Sequence, residues 1–86
     1  MRVELELEGY SKEKGMQLKW ENGFSIKVEK DNDSVLILAN KAGLISLANH
    51  LLTLAQDEIE DGVHIHLDEF NSLEDASVDL IIEKMA

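Results

Sequence analysis

The chain has no cysteine and no proline, few aromatic residues, and far less positive than negative charge. Without cysteine there is no disulfide framework, no thiolate metal site and no thiol nucleophile. No uninterrupted apolar run approaches the ~20 residues that crossing a bilayer requires. Met1-Arg2-Val3-Glu4-Leu5-Glu6 alternates charge with hydrophobe, unlike a secretory leader. A cytoplasmic location is the expectation from these features. Lys and Arg number 8 against 18 Asp and Glu, for a net charge of −10. Such a chain is repelled by the phosphates of nucleic acid and by anionic membrane surfaces. Its serines stand in no Gly-x-Ser-x-Gly elbow, and its five glycines form no phosphate-binding loop. A chain of 86 residues also leaves little concave volume for a substrate. A non-catalytic protein without a cofactor is expected.

What is present is enough for a globular fold, with 44% hydrophobic residues in a length that suits a single domain, 1–86, around one modest core. Val3, Leu5 and Leu7 alternate with Glu4, Glu6 and Glu8, the pattern of a half-buried strand. Met16, Leu18 and Trp20, then Phe24, Ile26 and Val28, repeat the alternation on either side of Asn22-Gly23. A three-residue loop with Gly23 in the left-handed region pairs Trp20 with Phe24 and keeps both apolar sets on one face. A two-residue turn would put those sets on opposite faces. Across the next turn, 31–34, symmetric pairing aligns Val28 with Val35 and Ile26 with Ile37, and turns Leu36 and Leu38 the other way.

Asn40 is placed to cap a helix over 41–56. Its expected buried stripe is Leu44, Leu47, Ala48, Leu51, Leu54 and Ala55, widened by Ile45 and Leu52. Gly43 in the first turn costs up to ~1 kcal/mol relative to Ala unless another backbone approaches closely there. Strands at 63–68 and 78–84, joined by a loop at 69–77, complete the set. The expected class is α+β: a single domain with a largely antiparallel sheet and one main helix packed on one face, in the order β-β-β-β-α-β-β.

Charge is unevenly distributed. Residues 1–41 carry a net −1 and residues 42–86 a net −9, with ten acids and no Lys or Arg between 57 and 83. Inside that stretch, alternation along Val63-His64-Ile65-His66-Leu67-Asp68 sets His64, His66 and Asp68 on one strand face. Two readings follow. One is a metal site built on His64 and His66, with Asp68 or the distant His50 as a further ligand. The other is a docking surface for a basic protein at Asp68, Glu69, Phe70, Glu74 and Asp75, where one aromatic anchor is ringed by acids. The plain alternative for that loop is a polar connection with Phe70 and Leu73 tucked inward. Leu36, Leu38 and Ile81 are expected outward on the sheet, either covered by the 9–15 loop or joining copies into a homo-oligomer.

The leucine-rich helix at 44–55, the run His64-Ile65-His66-Leu67-Asp68, then Asn71-Ser72-Leu73-Glu74 and Leu80-Ile81-Ile82 together resemble the immunity protein 32 family. The likeness covers the second half of the chain, from Asn40 to Lys84. Members of that family are small proteins of bacterial polymorphic toxin systems. The resemblance implies binding and neutralisation of a cognate toxin domain, and it carries over no individual binding residue. A nuclease toxin, whose cleft must be basic to hold phosphates, suits an acidic partner.

Overall fold

A computed structural model describes residues 1–11, 13 and 15–85. Its elements are β1 (Ile26–Asp31), β2 (Ser34–Ala39), α1 (Lys41–Leu54), β3 (His64–Leu67) and β4 (Leu80–Glu83). The α+β class and the single helix agree with the sequence reading, but the strand order does not. Two strands precede the helix instead of four, so the order is β-β-α-β-β. The strands form two separate antiparallel pairs, β1 with β2 and β3 with β4.

The two missing strands have a physical explanation. Backbone groups in the segments expected to pair are taken by polar side chains of α1 and its exit. Asn49 Nδ2 donates to the Glu6 carbonyl at 3.0 Å, and Gln56 Nε2 donates to the Glu8 carbonyl at 3.0 Å. His50 Nε2 meets the Lys19 carbonyl at 2.9 Å, and the Glu21 amide donates to Ser46 Oγ at 2.8 Å. Backbone groups removed from water need partners, and in the part-buried bonds at Glu6, Lys19 and Glu21 the helix supplies them in place of a neighbouring strand.

The same arrangement divides the expected helix face, with Leu54 buried as expected and several of the other residues outside. The residues that α1 buries are Gly43, Ser46, Asn49, His50, Thr53 and Leu54. Leu47 is half-buried against the core. Leu44, Leu51 and Leu52, expected inside, are instead 57%, 48% and 49% exposed, and Ala48 and Ala55 are exposed as well.

Asn40 caps the helix as expected, with its Oδ1 accepting from the Gly43 amide at 2.8 Å. It also holds the preceding turn, since Oδ1 accepts from the Ser25 amide and Nδ2 donates to the Gly23 carbonyl. Gly43 meets the condition that justifies it. A Cβ there would lie 2.5 Å from the Ser25 carbonyl oxygen and 2.9 Å from Ile26 Cγ1. The helix ends at Leu54 rather than at 56.

The loop at 21–23 has Gly23 in the left-handed region at φ 75°, and the Trp20 and Phe24 rings lie 4.5 Å apart, although no ladder forms there. In the β1–β2 hairpin the register differs by two residues from the symmetric expectation. Val28 faces Ile37, Ile26 faces Ala39 and Lys30 faces Val35. A two-residue shift preserves which side chains share a face. Asn32, at φ 54°, closes the tight turn. Residues 74–78 cover the outer edge of β1: the Glu74 amide donates to the Ile26 carbonyl and the Val78 amide to the Val28 carbonyl, each at 2.9 Å. The core gathers Ile26, Val28, Leu54, Ile59, Ile65, Leu67 and Leu73 from β1, α1, β3 and the loops. Each such side chain contributes roughly 1.5–3 kcal/mol when fully buried.

Candidate functional site

β3 shows the expected alternation. Ile65 and Leu67 are buried while His64 and His66 are exposed. Its register with β4 sets His66 opposite Ile81 and Leu67 opposite Leu80. Ile81 is therefore beside the histidines and 58% exposed, as expected. Leu36 and Leu38 are also exposed, but they belong to β2 in the other sheet, so the three residues do not share one sheet face.

The histidine cluster is not the one that spacing suggests. His66 Nε2 lies 2.9 Å from Asp79 Oδ2 and 3.9 Å from Asp68 Oδ2. One donor atom from each of His66, Asp68 and Asp79 lies within 4.8 Å of the others, and this is the set able to hold a cation among the described residues. His64 is outside it. His50 is on the buried face of α1, with its Nε2 bonded to the Lys19 carbonyl. Asp79 escaped the sequence reading because it enters only through the β3–β4 register. A connection of 69–77 is too long for spacing to fix that register.

The loop after β3 is tightly organised. Asp68 Oδ1 accepts from the Phe70 amide at 2.9 Å and the Asn71 amide at 3.0 Å. Asn71 returns the contact, with Oδ1 accepting from the Asp68 amide and Nδ2 donating to the His66 carbonyl, both at 3.0 Å. Leu73 enters the core with 4% exposure. Glu69 Oε2 accepts from the Ala76 amide at 2.8 Å and so stabilises a left-handed Ala76 at φ 67°. Glu74 Oε1 accepts from Ser25 Oγ at 3.0 Å, which ties the loop to the start of β1.

Of the two apolar residues in the loop, one tucks in and one does not. Phe70 is 90% exposed, on a turn whose neighbours are fixed by hydrogen bonds on both sides. Glu74 and Asp75 are exposed, and Asp68 and Glu69 are half-buried. Every other acid between 57 and 83 is exposed too. The arrangement offers an aromatic side chain and carboxylates on a preorganised support.

The Immunity protein 32 family model matches residues 34–85, more than half of the chain. The chain belongs to the immunity protein 32 family. The match begins at β2, six residues before the segment whose motifs resembled the family, and it takes in α1, β3, the 68–75 loop and β4. No curated protein and no solved structure matches the chain. The motif residues Asn71 and Leu73 support the loop from within, whereas Phe70 stands at its outer surface. Immunity proteins of this kind imply a toxin as partner and a role that does not involve catalysis. Among the described residues no helix is long and apolar enough to cross a membrane.

Proposed function

We propose that this protein binds and neutralises a cognate bacterial toxin domain in the cytoplasm, in a stoichiometric and non-catalytic complex made through residues 68–75. The exposure of Phe70 carries this reading. Phe70, at 90% exposure on a hydrogen-bonded loop, is placed to act as an aromatic anchor in a partner's pocket. Because the loop is already ordered, little conformational entropy is lost when it docks. Asp68, Glu69, Glu74 and Asp75 supply the acidic rim, and the remaining acids of 57–83 extend the negative field that draws in a basic groove such as a nuclease cleft.

The roles within the rim differ. Glu69 holds the Ala76 amide, so reversing its charge also loosens the loop. Asp75 is the cleaner probe. Sequencing of the neighbouring genes for a toxin domain, followed by binding kinetics against that purified domain, tests the proposal. Asp75→Lys should slow association several-fold at low salt. Phe70→Ala should speed dissociation by ~10-fold or more. Both should leave the melting curve of the free protein unchanged. Unaltered rates in the two variants would remove the loop from the interface, and lack of any complex would remove the function.

A further inference from the structure

Among the described residues, α1 is covered on one side only. Its outer side carries Leu44, Ala48, Leu51 and Ala55, all exposed, with Leu52 beside them. Their spacing of four, three and four residues is that of a two-helix seam. The run from residue 34 to residue 56 contains no Asp or Glu, in a chain that has 18 of them. Lys41 is its one charged residue. Isolated surface leucines are ordinary, but an uncharged stripe of them on a chain with a net charge of −10 is not.

We infer that this face of α1 binds a second copy of the same chain, helix against helix and antiparallel about a two-fold axis. The order of residues along the stripe favours that occupant. Antiparallel self-pairing places Leu44 opposite the partner's Ala55 and Ala48 opposite the partner's Leu51, so each large side chain meets a small one. The exchange is reciprocal, as a two-fold interface requires.

Charge points the same way. Lys41 stands at the positive end of its own helix dipole, and Asp57 and Glu58 follow the negative end. Both placements are unfavourable within one copy. The antiparallel pair brings Lys41 to the end where the partner's Asp57 and Glu58 lie. A basic toxin would be drawn to the acids of 57–83 and not to a face that has none.

Exposed apolar residues continue into β2. β2 joins α1 through Asn40, and its residues 35–38 are between 43% and 62% exposed. Alternation along the strand puts Val35 and Ile37 on one face and Leu36 and Leu38 on the other, so one of these pairs can extend the helix stripe.

Sedimentation velocity of the full chain over a dilution series tests the inference, with circular dichroism as the check on folding. The wild type should sediment as two chains at the upper end of the series. Leu51→Glu should weaken the pair by at least ~100-fold, since it places an uncompensated charge in the seam. Its dichroism should not change, because residue 51 is about half exposed in the single chain. Lys41→Glu should weaken association ~3- to 10-fold, and adding Glu58→Lys should restore it. A monomer at every concentration would overturn the inference, as would a dimer indifferent to Leu51→Glu. Failure of the charge swap to restore pairing would overturn the antiparallel arrangement. A monomer that loses toxin binding on Leu51→Glu would assign the face to the toxin instead.

Discussion

His50 has no exposed surface, and its two ring nitrogens fare differently: Nε2 donates to the Lys19 carbonyl at 2.9 Å, while Nδ1 has no hydrogen-bond partner among the described residues. The ring packs edge-on against Trp20 with centroids 4.2 Å apart. Burial lowers its pKa below the ordinary 6.5, and the bond to the Lys19 carbonyl opposes that shift only in part. On acidification the unfolded chain therefore takes up this proton first. The contribution of His50 to stability is complete above about 6.5 and is lost as the pH falls through the folded-state value. Urea unfolding at a series of pH values should show stability declining below that point. His50→Gln keeps a donor for the Lys19 carbonyl and should flatten this part of the profile. Parallel profiles for the two proteins would show that His50 is not the group responsible. Other single residues were readable without the fold. Asn40 as a cap, Gly23 as a left-handed residue and Gly43 as a point of close approach each meet a local backbone requirement. Phe70 was not readable in this way, because an aromatic in an acidic loop fits an inward and an outward placement equally well.

At the scale of elements, α1 shows how a strong pattern can mislead. Apolar residues lie on both sides of this helix, with Leu47 and Leu54 toward the core and Leu44, Leu51 and Leu52 toward the outside. A periodicity argument merges the two stripes into one and assigns it to the interior. The buried polar residues break the tie, because the carbonyls of Glu6 and Lys19 and the amide of Glu21 need partners. That need is invisible until the first segments are seen to lie on the helix instead of in a sheet. The two placements predict opposite mutational orders. Asn49→Ala should cost ~1–3 kcal/mol by leaving the Glu6 carbonyl without its donor. Leu52→Ala should cost under ~0.5 kcal/mol, as an exposed substitution does. Urea unfolding at dilutions that keep the chain monomeric measures both. The reverse order would return Leu52 to the interior.

Over the whole molecule, charge and apolar surface are segregated. Ten acids occupy 57–83, while 34–56 holds none and exposes leucines. The two surfaces should respond to salt in opposite directions. Added salt screens the attraction between the acidic surface and a basic toxin, so association with the toxin should slow. Two copies with a net charge of −10 each repel one another, and screening should therefore tighten self-association through α1. Stopped-flow association rates and sedimentation at two ionic strengths separate these effects. Movement of both in the same direction would show that one surface serves both partners.

The sequence by itself determined the α+β class, the capped helix, the alternation of β3, the acidic second half and the membership of its family. Each depends on periodicity, composition or a short motif, which are properties of neighbouring residues. Tertiary structure alone decided which face of α1 is buried, that the first segments bond to helix side chains, that Asp79 joins His66, and that Phe70 stays outside. Those outcomes depend on where distant backbone groups find hydrogen-bond partners and on the register of strands joined by a long loop. Neither is encoded in the spacing of adjacent residues.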